Sequence, residues 1–576
     1  LARVEYERQK TVPKKWILAG LFLAFFLIIS SILLIFYPFA SPVKEEYFTG
    51  KNPIIFQGKQ AGNAMIEKSI IYIPLSLLKK IDESIAYDEK SNSVIITTAD
   101  KVVQMPSESL TYFINQKPVK LHLSPTISNK GELYLSLDTI LPFYPLQYRI
   151  LNESGAIWIQ KVGETIKKGT ITNEDVQTEK LRLRTEPNLL SPYTAETKLN
   201  ESVFIEQKKE DYYFVRKKTG EAGYIRKDLV KEKETFTITV KREQKEAVLP
   251  KINGPVQLTW EAVYEKNPDT DRIPPMPGVN VVAPTWFELA SETGSVKNLG
   301  SIDYVKWAKK RKYQVWGLFS NAFDPKLTKA AFKDYETRQT IIRQLLHYSK
   351  MYQLDGINLD IENVNEEDGP LVTQFVREAV PFFHDAGLIV SMDITFIAGG
   401  NWSAFYERDK LADLVDYLIV MTYDEHWATS PVAGSVASLP WVEENLKKLL
   451  EIVPSEKLIL GVPLYSRLWK EQHLNNGITK LTSKALSMDK VKEWLDANKV
   501  QPKYDPSTGQ NYAEYDSEKE KATYKIWIED EHSLKKRSEL ARKYNLAGVA
   551  SWSRFFANEK AWSALNIKQQ TNVTKK

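Results

Sequence analysis

The segment Asp355-Gly356-Ile357-Asn358-Leu359-Asp360-Ile361-Glu362 constrains the fold more than any other part of this chain. Side chains alternate along a strand, so Ile357, Leu359 and Ile361 share one face while Asn358, Asp360 and Glu362 share the other. The apolar set has to pack against surrounding helices, which turns the polar set toward the inside of a barrel. Acids placed there are costly unless they are paired or used. Neighbouring members of the polar set lie roughly 6–7 Å apart, near enough for each charge to perturb the next group's pKa. On these residues alone, a structural polar cluster or an edge strand with a wet face is the alternative.

The surroundings support a barrel. From about residue 250 onward, strand-like runs alternate with amphipathic helical segments. The runs are Val279–Val282, Gln314–Leu318, Gly356–Glu362, Leu388–Met392, Tyr417–Met421, Leu458–Val462, Lys525–Ile528 and Gly548–Trp552. Thr340–Met351 illustrates the helices, with Ile341, Ile342, Leu345 and Leu346 on one face. About eight strand–helix units over 250–570 predict a (β/α)8 TIM barrel. An open doubly wound sheet is less consistent, because no glycine-rich nucleotide loop follows the first run. Residues 466–523, between the sixth and seventh runs, are too long for a loop and predict a small inserted subdomain beside the cleft.

At 576 residues the chain exceeds one core, so a multidomain protein is expected. No charged residue occurs from Trp16 to Tyr37. As a helix this stretch is roughly 33 Å long, enough to cross a bilayer. Arg3, Arg8, Lys10, Lys14 and Lys15 precede it. The expectation is a cytoplasmic tail over 1–15, a single-pass transmembrane anchor over 16–38, and an outward-facing remainder. A cleaved signal peptide is the rival, but Tyr37-Pro38-Phe39-Ala40-Ser41-Pro42 is a poor cleavage site.

Residues 46–165 contain an internal repeat. Ile71-Tyr72-Ile73-Pro74-Leu75 aligns with Leu133-Tyr134-Leu135-Ser136-Leu137, and at the same offset Ile95-Ile96-Thr97 meets Ile157-Trp158-Ile159. Each copy reads as a strand, a helical turn and a hairpin strand after a polar turn (Asp88–Asn92; Asn152–Gly155). The segment resembles the copper amine oxidase N-terminal-like domain, an α+β repeat module of exported bacterial proteins. Only His122 lies in it, so no copper site is visible, and a spacer or wall-contact role is expected. Residues 176–235 resemble a bacterial Src-homology-3-like domain, carried by Leu181–Pro187, Val203–Ile205, Tyr213–Val215 and Gly223–Ile225. Their apolar alternation independently reads as a small β-barrel. Wall binding and simple spacing are both open for it. The charged run Lys231–Lys245 reads as a solvated linker.

Composition excludes several functions. There is no Cys, so disulfides, thiol catalysis and Cys-ligated zinc are ruled out, and a cysteine-free exported chain fits a bacterial source. The 6 His are scattered without a His-Glu-x-x-His pattern, so neither a metal nor a cofactor is expected. A net charge of +5 with interleaved signs gives no nucleic-acid footprint.

Four motifs carry a resemblance across nearly all of 255–565. Asp355–Glu362 resembles the Asp-x-x-Asp-x-Asp-x-Glu signature of glycoside hydrolase family 18, the chitinase and spore-cortex-lytic family. Met421-Thr422-Tyr423-Asp424, Gly461–Arg467 and Gly548–Ser553 resemble its Met-x-Tyr-Asp, Gly-x-Pro-x-Tyr-Gly-Arg and last-strand segments. The resemblance implies a retaining mechanism in which the substrate's own 2-acetamido oxygen attacks the anomeric carbon. It implies Glu362 as general acid, Asp360 as the group orienting the acetamide N–H, and Tyr423 as hydroxyl donor to the acetamide oxygen. Asp424 would bind sugar, and Trp552 would floor the −1 subsite. Asp355, Asn358, Met421, Tyr465 and Arg467 complete the expected substrate-binding set. Asn358 departs from the family pattern, where an acid shares a proton with its neighbour; an amide cannot take that charge. Asp393 and His426 are further expected neighbours of the site. The implied substrate is an N-acetylglucosamine polymer: peptidoglycan first, given the anchor and wall modules. A chitinase and a catalytically silent, lectin-like wall binder are the alternatives.

Overall fold

The computed structural model describes residues 13–36, 40–107, 109–120, 124–129, 131–151, 153–239, 252, 254–474 and 479–567. Expectations resting on Arg3, Arg8, Lys10, the Tyr37-Pro38-Phe39 end of the apolar stretch, His122, Asn152 and the linker beyond residue 239 lie outside these residues. The chain divides into two compact units: Leu1–Glu83 with Ser124–Gln244, and Ser84–Leu123 with Lys245–Lys576.

The first unit contains a helix over Lys14–Phe36 that is long and apolar enough to cross a membrane. The two repeat copies meet strand to strand: Ile70–Pro74 pairs antiparallel with Glu132–Ser136, setting Ile73 opposite Leu135. Each strand runs directly into a short helix, Leu75–Ile81 and Leu137–Ile140. A seven-stranded sheet occupies Thr165–Thr237. Its last strand is Val230–Thr237, which pairs with Thr165–Ile171. The described part of the charged run from Lys231 is therefore mainly strand, not linker: its alternating charges point outward from an edge strand, which tolerates and even favours them.

The second unit is built on a closed parallel barrel of eight strands. In chain order these are β1 (Val256–Glu261), β2 (Val281–Pro284), β3 (Gln314–Ser320), β4 (Gly356–Asp360), β5 (Ile389–Thr395), β6 (Tyr417–Met421), β7 (Leu458–Pro463) and β8 (Gly548–Trp552). β8 sits between β1 and β7, and β2 pairs with β3, so no strand edge is left open. Ile357, Leu359 and Ile361 pack outward with Phe375, Val376 and Ala379 of the helix Gly369–Asp385. Inside, Val256, Leu258, Trp260, Trp316, Ile419, Ile459 and Ala550 fill the barrel, so it is a packed core and not a pore.

Two strand assignments differ from the sequence expectation. β1 is missed because Val256-Gln257-Leu258-Thr259-Trp260-Glu261 alternates in polarity although all six residues are buried; a parallel barrel strand more often reads as a continuous apolar run. Lys525–Ile528, counted as a barrel strand, instead belongs to Ala522–Ile528 of a five-stranded antiparallel sheet. That sheet and the helix Met488–Asn498 form the inserted subdomain, which therefore lies between β7 and β8.

Residues 84–123 join the barrel's unit as a five-stranded meander, Ala86–Asp88 through Lys117–Lys120. Asp88 Oδ2 accepts from the Tyr335 N–H at 2.6 Å, at the start of the helix Tyr335–Tyr352. A carboxylate there satisfies a free backbone donor and favours the positive end of the helix. Gln116 Nε2 donates to Gln339 Oε1 at 3.0 Å one turn further along, and Ile95 and Val102 enter the barrel's outer core. The 46–165 segment is thus shared: its central part, 84–123, belongs to the barrel's unit and its two flanks to the first.

Candidate active site

The carboxyl ends of the barrel strands open into a cleft of about 550 Å³, lined by residues from several strand ends including Trp260, Asp360, Glu362, Asp393, Tyr423 and Trp552. β4 delivers the acids. Asn358 and Asp360 point inward from the strand, and Glu362 follows just past its end. Asn321, at the end of β3, clamps the Glu362 backbone: the Glu362 N–H donates to Asn321 Oδ1 at 3.0 Å, and Asn321 Nδ2 donates to the Glu362 carbonyl at 2.8 Å. Asn321 is itself buried and also donates to Thr328 Oγ1 at 2.8 Å.

Beneath the acids, Asn358 is the hub of a buried polar network. Its Oδ1 accepts from Trp260 Nε1 at 2.9 Å, and its Nδ2 donates to Asp393 Oδ1 at 2.9 Å and Ser391 Oγ at 3.1 Å. An amide can do both at once, which a carboxylate cannot. Burial pushes the Asp360 carboxyl up to about 7. Burial, then the charges of Asp360 and Asp424, holds Glu362 well above the usual glutamate range. Burial and Asp360 likewise hold Asp393 well above its ordinary value, only partly offset by the Asn358 hydrogen bond. The site thus holds Glu362 toward its protonated form, as an acid catalyst requires. The Tyr423 hydroxyl is raised far above its usual value by burial, then by Asp393, so it remains a donor.

β6 and β7 supply the opposite wall. Asp424 adopts a left-handed backbone, φ 59°, just after β6, a conformation Asp tolerates better than most residues. Its Oδ1 accepts from the Tyr465 hydroxyl at 2.7 Å and from Arg467 Nη2 at 3.1 Å. Arg467 therefore reaches the site through Asp424 and does not itself line the cleft. Trp552 ends β8 with its ring centroid 5.9 Å from that of Trp260.

Of the residues expected from sequence, Asp360, Glu362, Met421, Tyr423, Asp424, Tyr465 and Trp552 line this one cleft, with Asp393 among them. Asn358 lies directly below. Asp355 does not belong: it precedes β4 at the opposite end of the barrel, where its Oδ2 accepts from the Val315 N–H at 2.9 Å. Four residues of strand, Gly356–Leu359, separate it from Asp360, so its place in the motif is a strand-pairing one. His426 faces away, with Nδ1 on the Ser435 carbonyl at 2.9 Å. Sequence patterning does not single out Trp260, Asn321, Tyr264, Phe323 or Trp402. The last three line the cleft at 79%, 41% and 53% exposure. A signal exists for them: each is an aromatic residue shortly after the carboxyl end of a barrel strand.

Comparison with known proteins identifies two matching families. The family model described as Glycosyl hydrolases family 18 matches residues 265–556, and that of the Copper amine oxidase N-terminal domain matches 55–156. The Bacillus subtilis (strain 168) protein named uncharacterized glycosylase YvbX is 27% identical over 299 residues, covering 50% of this chain and 84% of that protein. The cortical fragment-lytic enzyme of the same organism is 23% identical over 266 residues, covering 46% of this chain and 60% of that one. A crystal structure of a chitinase from Chromobacterium violaceum ATCC 12472 is 21% identical with a TM-score of 0.49, covering 55% of this chain and 98% of that one.

Proposed function

The chain belongs to glycosyl hydrolases family 18 and is a glycosidase, and on that premise we propose that it cleaves β-1,4 bonds at N-acetylglucosamine in peptidoglycan by a retaining, substrate-assisted mechanism. The observation that carries the reading is the pair Asp360 and Glu362, two acids in one cleft at the mouth of β4, with Glu362 held toward its protonated form by burial and by the charges of Asp360 and Asp424.

In this mechanism Glu362, protonated, gives its proton to the leaving glycosidic oxygen. The substrate's acetamide oxygen attacks the anomeric carbon and displaces it. Asp360, as the anion, orients the acetamide N–H and offsets the positive charge that develops on the ring so formed. Tyr423 donates its hydroxyl to the acetamide oxygen and fixes its line of attack. Glu362, now ionised, takes a proton from the water that opens the intermediate, and configuration is retained. Asp424, held by Tyr465 and Arg467, binds a sugar hydroxyl or the acetamide. The Trp552 face supports the pyranose ring.

The accessory parts favour a wall substrate. The Lys14–Phe36 helix, with Lys14 and Lys15 at its start, serves as a membrane anchor that leaves the barrel on the outer side. The repeat module and the small β domain, read as Src-homology-3-like, act as spacers or wall contacts. Incubating the full chain with purified peptidoglycan and with chitin oligomers tests the reading. New N-acetylglucosamine reducing ends from peptidoglycan support it, and cleavage of chitin alone makes the protein a chitinase. Retained binding with no product from either polymer contradicts hydrolysis.

A further inference from the structure

Asp360 and Asp393 are neighbours across two strands. β4 and β5 run parallel with Asn358 beside Ser391 and Leu359 beside Met392, so the next pair on the inner face is Asp360 beside Asp393. Both are buried. Asp360 Oδ1 is fully enclosed without a hydrogen-bond partner among the described residues. Asp393 Oδ1 accepts from Asn358 Nδ2 at 2.9 Å, and the Trp260 indole N–H also bears on this carboxyl. Asn358 cannot rotate to serve Asp360 instead, because its Oδ1 is fixed by Trp260 Nε1 at 2.9 Å.

We propose that Asp393 is a positioning residue for the reaction: held by Asn358, it keeps one proton between itself and Asp360 and so leaves a single negative charge on the pair. This rests on the reading of Asp360 as the group that orients the acetamide. Two carboxyls this close in a dry site cannot both ionise. The groups whose charge bears on Asp393 are Asp360 and Glu362 from β4, together with the Tyr423 and Tyr406 hydroxyls from the loops after β6 and β5. All four are acids, and none supplies a positive charge to neutralise a second carboxylate. Asp360 lines the cleft as the acetamide's partner and Asp393 is tied to Asn358; an acetamide N–H donating to Asp360 favours the charge there, so the proton rests on Asp393. With one oxygen on the acetamide N–H, Asp360 has Oδ1 left to accept the Asp393 O–H. Asn358, which breaks the acidic pattern of β4, thereby becomes the link that recruits an acid from β5.

The experiment uses the full chain, the Asp393→Asn variant, and the double variant Asn358→Asp with Asp393→Asn. With the polymer that the wild type cleaves, Asp393→Asn should lower kcat at least about 10-fold with little change in KM, and should move the acid limb of the pH profile. The double variant restores a carboxyl to β4 and should recover most of that loss and the original limb. Infrared spectra of chain labelled with 13C-aspartate should show a protonated carboxyl band near neutral pH that Asp393→Asn removes. A wild-type profile in the single variant, a double variant no better than the single, or a band that survives Asp393→Asn overturns the proposal. The two levels fail separately: a wild type that cleaves no N-acetylated polymer overturns the hydrolase reading and this one with it. An active wild type with an unchanged Asp393→Asn variant overturns this inference alone.

Discussion

Asn321 grips Glu362 by its backbone from both sides, accepting from its N–H at 3.0 Å and donating to its carbonyl at 2.8 Å. Glu362 stands past the last paired residue of β4, where strand pairing no longer fixes its direction. The β3 amide replaces the missing ladder and aims the acid at the cleft. A catalytic group displaced by about 1 Å can lose about 100-fold in rate.

Asn321→Ala should therefore lower kcat by about 10- to 100-fold while leaving KM within about threefold. Steady-state kinetics on a soluble oligosaccharide checks this, with the melting temperature recorded alongside. Loss of the buried amide should also cost about 1–3 kcal/mol of stability.

Asp355 provides the converse case. It belongs to the motif but pairs β4 to β3 through the Val315 N–H at 2.9 Å. Asp355→Ala should lower stability by about 1–2 kcal/mol in denaturant unfolding and leave KM unchanged. A rise in KM would return Asp355 to the substrate-binding set.

Much of this arrangement was legible before any coordinates. The alternation of Ile357, Leu359 and Ile361 with Asn358, Asp360 and Glu362, together with the strand–helix rhythm around it, points the acids into a barrel. The motifs at Met421–Asp424 and Gly548–Ser553 lead to the same cleft. What stayed hidden depends on contacts between strands. Trp260 sits on a strand disguised by its buried Gln257, Thr259 and Glu261. Asn321 matters only through neighbours distant in sequence. Linear spacing also draws Asp355 into the site, although a strand carries it to the far end of the barrel. The meander over 84–123 looks like the middle of a repeat, yet its Asp88 caps a barrel helix.

The raised carboxyls imply a pH-dependent stability of definite sign. Asp360 is pushed from 3.8 to about 7 by burial, so the folded state holds its proton more tightly than the unfolded chain does. Its contribution is favourable in acid and is lost as pH rises from about 4 through about 7. Asp360→Asn should raise stability at neutral pH by up to about 4 kcal/mol and flatten that decline, while removing most activity. Melting temperatures of wild type and variant across this range check the slope. A variant no more stable than wild type at neutral pH contradicts it.

Glu362→Gln isolates the central claim. Glutamine keeps the size and the Asn321 clamp but has no proton to give to a leaving oxygen. The measurement is the release of N-acetylglucosamine reducing ends from purified peptidoglycan by full-length wild type and Glu362→Gln, with polymer binding recorded in parallel. The account predicts release by the wild type, a loss of at least about 100-fold in the variant, and undiminished binding. Release by the variant at the wild-type rate would contradict it.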